Sequence, residues 1–444
     1  MPTLLTFNSK YVIRSTVPVT TTSSSLVDDT EAIQTFELTE PKTVLVIYQA
    51  NNVFDAAMPD AGMQNAINID GSDVANSWDS GQLSDYPVRN ATFWVGTLGA
   101  GSHTVKGRFA SNIGGSTATV SNRVLIVMVF DGNWFYYIDN STSSTTSSST
   151  FVDDPYAQVT FTPSETCKAL VLYNITNSPG ATENADGKKA AININGTDYG
   201  QAEKSPDYDD YADSIFTAHA LSLSAAQTTV KGRFASNRDG YAVTVSRRQL
   251  AVLLFADSTL LDISTSTVQV STTSSSLVDD TEATLQRTIT DTREVLVIAV
   301  GTKRHGVSSS FYGECYGIKI DDNDRANSRG SPIASAFANS AATAYAEQLS
   351  PGSHTIQGRF SNNFGTTTAV ISARQFIAIW FLPPPAVVET ITAKNFPMLY
   401  LAEPATAKEL TSKVSGATIT KTDMTFPQKL LKSGKAKELR SKWT

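Results

Sequence analysis

Three long stretches of this chain are versions of one another. Val27-Asp28-Asp29 returns as Val152-Asp153-Asp154 and as Val278-Asp279-Asp280, and Leu45-Val46-Ile47 returns as Leu170-Val171-Leu172 and Leu296-Val297-Ile298. The clearest recurrence is Val105-Lys106-Gly107-Arg108-Phe109, matched by Val230-Lys231-Gly232-Arg233-Phe234 and Ile356-Gln357-Gly358-Arg359-Phe360. Arg123, Arg248 and Arg374 then open the last apolar run of each copy. Every landmark moves by 125 residues from copy one to copy two and by 126 from copy two to copy three. Solenoid repeats run about 20–50 residues, so a period this long implies whole domains in tandem.

Within a copy the elements read as strands. Thr43 to Tyr48 and Val124 to Phe130 are short, β-branched-rich apolar runs between polar turns, too short for core helices. Thr104 to Ser111 alternates, with Val105, Gly107, Phe109 and Ser111 on one face and Lys106 and Arg108 on the other. Many short strands and few helical patterns predict an all-β chain of three tandem antiparallel β-sandwiches. The boundaries read as an N-terminal arm over 1–16, domains over 17–140, 141–265 and 266–385, and a C-terminal segment over 386–444 with some helix-like spacing. The Ser/Thr tracts before each Val-Asp-Asp read either as flexible linkers or as the opening strands of each sandwich.

Composition removes several classes of function. Thirty-five basic and 42 acidic residues leave a net charge of −7, against a generally basic nucleic-acid coat protein. Cys167 and Cys315, the two cysteines, cannot build a disulfide framework or a four-thiolate zinc site. No apolar run reaches about 18 residues, so no membrane span is expected. The first residues lack a basic region followed by an apolar stretch, so the expectation is synthesis in a cytoplasm without a secretory signal. The C-terminal segment is the basic exception: ten Lys or Arg stand against five acids over 386–444, with Lys429, Lys432, Lys435, Lys437, Arg440 and Trp443 as the candidate anchoring residues.

Reactive groups are sparse. The Asp28/Asp29 pair and its copies read either as calcium ligands, or as one acid pairing with Arg108 or Arg123 and their counterparts while the other caps a turn. His103 and His354 stand in equivalent turns, where copy two has Thr228, and no nucleophile elbow or His-Glu-x-x-His pair accompanies them. Gly187-Lys188-Lys189 lacks phosphate-loop spacing. No catalytic residue, cofactor or metal is therefore expected. Trp134-Phe135-Tyr136-Tyr137, just after the last run of copy one, reads as interdomain packing more readily than as a sugar-stacking face. Val53 to Gln64, Asn177 to Lys189 and Thr302 to Tyr316 share almost no sequence, nor do Ser72 to Asn90, Thr197 to Asp213 and Asn323 to Asn339. Variable loops on a rigid sandwich are where binding is built, though surface drift looks the same. Asp207, Asp209 and Asp210 form an acidic cluster of the kind a glycan-cleaving enzyme uses. Glycosylation-type triplets begin at Asn90, Asn140, Asn174 and Asn195.

Taken together, the Ser/Thr-rich lead with its Asp, Ile67 to Gly71, Gly101 to Phe109 and the closing run from Arg123 to Val127 resemble the complement/tumour-necrosis-factor-like jelly rolls of phage and prokaryotic virus structural proteins. The resemblance implies two-sheet jelly rolls, a tendency to threefold packing, and roles in virion spikes, turrets, fibres or decorations that serve assembly or host attachment. Other virion proteins, further copies of this chain in a homo-oligomer, a host receptor or a glycan would be the partners, and nucleic acid is not expected to be one. Three copies in one chain then predict either an intrachain pseudo-trimer or an extended stack. The expected function is a non-enzymatic virion structural protein, with a cell-surface adhesin or filament subunit as the alternative and a glycan-active enzyme behind it.

Overall fold

The computed structural model describes residues 2–54, 62–80, 88–111, 115–179, 187–204, 213–305, 314–330, 338–362 and 368–384. Copy one folds as β1 (Thr6–Ser15), β2 (Val19–Thr21), β3 (Val27–Leu38), β4 (Lys42–Phe54), β5 (Gly62–Ile69), β6 (Ser72–Ser80), β7 (Val88–Leu98), β8 (Gly101–Ser111) and β9 (Ala118–Asp131). Copy two repeats the series as β10 (Phe135–Asn140), β11 (Ser144–Thr146), β12 (Val152–Phe161), β13 (Cys167–Pro179), β14 (Lys188–Ile194), β15 (Thr197–Lys204), β16 (Asp213–Leu223), β17 (Thr228–Ser236) and β18 (Val243–Ala256). Copy three follows with β19 (Leu260–Ser266), β20 (Val270–Thr272), β21 (Val278–Ile289), β22 (Arg293–His305), β23 (Glu314–Ile320), β24 (Asn323–Gly330), β25 (Ala338–Leu349), β26 (Gly352–Asn362) and β27 (Ala369–Phe381). In each copy a sheet ordered β1-β9-β4-β7, with β2 also on β9, faces one ordered β3-β8-β5-β6. Among the described residues the chain is all-β, with six antiparallel sheets paired as three sandwiches, and the helix-like spacing of 386–444 lies outside them.

Strand pairing moves the expected boundaries. Residues 6–15, read from sequence as part of an arm outside the repeats, pair along β9 from Thr6↔Asp131 to Ser15↔Arg123. Likewise residues 135–140 and 260–265, assigned above to the ends of copies one and two, lie in the opening strands of copies two and three. The Ser/Thr tracts contribute the short strands β2, β11 and β20 rather than linkers. A shared offset would have shown part of this, because Tyr11-Val12-Ile13 lies 125 residues before Tyr136-Tyr137-Ile138.

The continuous apolar run of β9 is explained by burial on both faces. Leu125, Val127 and Val129 pack into copy one's own core with Val44, Val46 and Phe109. The alternate residues Val124, Ile126, Met128 and Phe130 join a second cluster that continues into copies two and three. Residues 1–383 form one compact unit, and its three copies close a ring. Strand β7 packs on β10 and β18, β16 on β19, β22 and β27, and β25 on β1, β4 and β9. A head-to-tail contact that returns to its starting point is a closed heterologous ring, so the copies form the pseudo-trimer and not the stack. Equivalent residues meet at its centre: ring centroids of Phe130, Phe255 and Phe381 lie 5.4, 5.2 and 5.6 Å apart in turn, with Phe7 stacked on Phe381 at 5.7 Å.

Candidate functional site

Each sandwich has two unlike ends. At one, tight turns join Leu38 to Lys42, Ile69 to Ser72 and Leu98 to Gly101; at the other, longer connections run from Phe54 to Gly62, Ser80 to Val88 and Ser111 to Ala118. The antiparallel registers put the strand ends flanking those longer connections together, as Asn52↔Val88, Phe54↔Ala118 and Met63↔Ser111 show. Pseudo-threefold closure repeats this in every copy and sets all three loop ends on the same face of the ring. Strand β27 ends with Phe381 on the axis, at the turn end. The described strand ends that flank the remainder of each variable segment therefore lie at one end of the sandwiches, while the described chain finishes at the opposite one.

The recurring acids and arginines hold the sandwiches together. Arg123 Nε lies 2.6 Å from Asp29 Oδ2, Arg248 Nε 2.8 Å from Asp154 and Arg374 Nε 2.8 Å from Asp280, with every one of these side chains fully buried. The guanidinium of Arg123 also donates to the carbonyls of Val17 and Val120, as Arg374 does to Val268 and Ile371. These bonds join the link between the first two strands to the bulge in the last one, which satisfies a charge that burial would otherwise make costly. Burial pushes the Asp29 and Asp280 carboxyls up from their ordinary value, against the pull of the facing arginines. The other acid pairs at the surface: Asp28 meets Lys106 at 2.6 Å and Arg108 at 3.0 Å, and Arg108 reaches Asp73 at 2.7 Å. Asp153 with Arg233 and Asp279 with Arg359 repeat it. Both acids thus have arginine partners, and it is the buried acid that also caps a turn, with Asp29, Asp154 and Asp280 Oδ1 accepting from the N–H of Glu31, Tyr156 and Glu282. Among the described residues no cluster of three or more His, Cys, Asp or Glu could hold a metal ion.

Gly107, Gly232, Phe109, Phe234 and Phe360 belong to the same structural core. A Cβ on Gly107 would lie 2.4 Å from the Tyr48 ring, and one on Gly232 2.3 Å from Tyr173. Those phenols donate to Asp29 at 2.8 Å and Asp154 at 3.0 Å. The histidines serve a turn. His103 Nδ1 is 2.7 Å from Asp70 Oδ2, Nε2 is 3.0 Å from the Gly99 carbonyl, and Asp70 Oδ1 accepts from Thr104 N at 2.8 Å. His354, Asp321 and Thr355 repeat it, whereas in copy two Asn195 alone caps Thr229 N. Partial burial by itself would lower both imidazoles, but the hydrogen bonds to Asp and carbonyl outweigh it and hold both above their ordinary value.

The three junctions of the ring differ in chemistry. Tyr137 of the aromatic run reaches across to copy one, its ring edge-on to Phe93 at 6.2 Å, while Tyr136 stacks on Phe161 inside copy two. Across the copy three–copy one junction Gln49 clasps the backbone of Ala344, donating to its carbonyl at 2.6 Å and accepting from its N–H at 2.9 Å, and Lys10 pairs with Glu294. Across the copy two–copy three junction Gln375 donates to the Ala218 carbonyl at 2.7 Å and to His219 Nδ1 at 3.1 Å. These junction amides were not singled out in the sequence, because the position supplying them changes from strand to strand. Of the glycosylation-type asparagines, Asn174 is buried against Gln249, which closes it to a glycan in the folded chain. The Asp207, Asp209 and Asp210 cluster and the candidate anchoring residues Lys429, Lys432, Lys435, Lys437, Arg440 and Trp443 lie outside the described residues.

No protein-family model matches this chain, and no curated protein matches it. Among solved structures, "Structure of PNGF-II in C2 space group" aligns over 78% of this chain and 99% of its own at 10% identity, with a TM-score of 0.27. A chain from "The Triple Jelly Roll Fold and Turret Assembly in an Archaeal Virus" aligns over 81% of this chain and 82% of its own at 9% identity, with a TM-score of 0.17. Likenesses at these scores carry no argument about what this chain does.

Proposed function

We propose that this protein is a non-enzymatic structural component of a prokaryotic virus particle, a spike, turret or decoration that presents a fused trimer of jelly rolls. One observation carries the reading: the strand ends that flank the variable segments lie at one end of the sandwiches in a closed ring, and the last strand before the basic C-terminal segment ends at the other. A rigid body with its diversity at one end and its chain exit at the other is suited to display. Fusing the copies also replaces the association entropy of three chains with short linkers, so the ring persists at any dilution.

Deleting 386–444 tests the anchoring half. The truncated chain should remain folded and soluble but be missing from purified particles; retained incorporation overturns the role given to that segment. Recovery of the full chain from cell envelopes and not from particles would favour the adhesin reading instead.

A further inference from the structure

The copy two–copy three junction holds an open-sided cleft of about 570 Å³ lined by Lys168, Tyr199, His219, Ser222, Leu261 and Arg287, among others. Its origin is visible in the repeat. At the preceding junction the equivalent positions carry Trp94, Trp134, Phe135 and Tyr137; here they carry His219, Leu260, Leu261 and Ile263. Large rings have become smaller side chains at these four positions, although Leu221 replaces Gly96 beside them. The stacked pair Tyr136–Phe161 is likewise replaced by the ion pair Asp262–Arg287, which turns an aromatic wall polar.

The polar groups converge in a defined way. His219 is 6% exposed and lies flat on Tyr199, ring centroids 4.2 Å apart. Gln375 takes the orientation in which its amide nitrogen meets the acceptors His219 Nδ1 and Ala218 O while its oxygen accepts from Gly200 N; the reverse would set donor against donor. Because Nδ1 accepts, the proton of a neutral imidazole sits on Nε2, and burial, which holds His219 below its ordinary value, keeps it neutral. Lys168 is matched by Asp257 at 2.7 Å, as Arg287 is by Asp262. The cleft is rich in hydrogen-bonding groups, yet its cations are balanced.

We propose that this cleft binds a neutral saccharide ring. Phosphate or sulfate would seek uncompensated cations, and an apolar ligand would strip water from Lys168, Ser222 and Asp257, which already pair with one another, without returning a hydrogen bond. A polyol can instead exchange hydrogen bonds with all of them and lay its C–H face on Leu261 and Ile263. The volume falls within the roughly 300–1,000 Å³ usual for small-molecule sites. The proposal deepens the attachment side of the reading above, and its test needs no particle, so the two can fail separately.

The probes are glucose, galactose, mannose and N-acetylglucosamine, with their β-linked disaccharides, in saturation-transfer NMR on the full chain. At least one should give a saturable signal. Leu261→Phe with Ile263→Tyr, which restores the residues of the preceding junction, should abolish it, while His103→Thr at the far turn should not. If the filled variant loses its circular-dichroism melt, Lys168→Met takes its place and should weaken binding about tenfold. The proposal falls if no sugar gives a saturable signal, if a folded cleft variant binds as before, or if sulfated or phosphorylated sugars bind and neutral ones do not.

Discussion

Copies two and three fill the same interior space from different strands. In copy two Tyr173 on β13 lies over Gly232, with Ala190 on the facing sheet; in copy three the position of Tyr173 is Ala299 and that of Ala190 is Tyr316, on β23. The Tyr316 hydroxyl lies 3.2 Å from where Gly358 would carry a Cβ, next to the β-carbon of Asp280. The phenol has changed sheets and kept its place beside the buried acid. What the fold constrains is a volume and a hydroxyl near a carboxylate, not the strand that supplies them.

The buried acid–arginine pair does not migrate, and removing half of it should show the largest effect. Arg248→Met or Arg374→Met leaves a carboxylate buried without its partner and should cost about 3–5 kcal/mol. Hydrogen exchange resolved by strand should localise the loss to the altered copy. Asp280→Leu with Arg374→Met should recover most of it, since two apolar side chains leave no buried charge. Equal losses for the single and double variants would mean that shape, and not charge pairing, sets the requirement.

Moving the tyrosine back tests the migration itself. Ala299→Tyr alone puts two rings into space for one and should cost about 1–3 kcal/mol. Tyr316→Ala added to it recreates the arrangement of copy two and should restore the thermal midpoint. Additive losses would show that copy three has repacked more widely than this one exchange.

These contrasts explain how much was legible beforehand. The period and the strands could be read because turns such as Asp70-Gly71 and registers such as Asp28 opposite Arg108 tolerate no change in length. The ring could be posed as one of two arrangements but not chosen, since Phe130, Phe255 and Phe381 look like ordinary core residues until they meet. The boundaries were misread because β1, β10 and β19 have diverged most, down to Tyr11, Tyr136 and Asp262 at one position. The cleft was invisible because it depends on Leu261 and Ile263 being smaller than their counterparts, which matters only across a junction.

The turn histidines give a third, weaker contrast between copies. An imidazole held above its ordinary value in the folded state adds stability that is fully present below the unfolded value, about 6.5, and is lost as pH rises through the folded one. Asp70, whose pull toward a raised value by burial is outweighed by its bonds to His103 and Thr104, sits below its ordinary value. Its contribution is present above about 3.8 and is lost as pH falls through its folded value. The turns of copies one and three should therefore loosen in alkali, and that of copy one in strong acid as well, as exchange of the Thr104 and Thr355 amides would report. The copy two turn, with Asn195 and Thr228, should not respond. Asp70→Asn with His103→Thr should make copy one behave like copy two, and a surviving pH response would assign it to Glu37 or another neighbour.

The smallest expected effect concerns a second migrant. Lys106 and Lys231 on the Gly-Arg-Phe strand pair with Asp28 and Asp153 at 2.6 Å, but copy three has Gln357 there, and Lys319 on the neighbouring strand reaches Asp279 at 2.9 Å instead. Lys319 and Gln357 are direct cross-strand partners, so the charge has stepped sideways by one strand and still meets the same acid. Exchanging them, Lys319→Gln with Gln357→Lys, should change stability by less than about 1 kcal/mol, because a solvated pair is worth only about 0.2–1. Lys319→Gln alone should cost no more than that, and 1 M salt should erase the difference. A salt-independent loss would mean that the lysine stem, packed along the sheet, matters more than its charge. In that case the sideways step would be governed by the same rule as the buried tyrosine: volume first, and the strand of origin second.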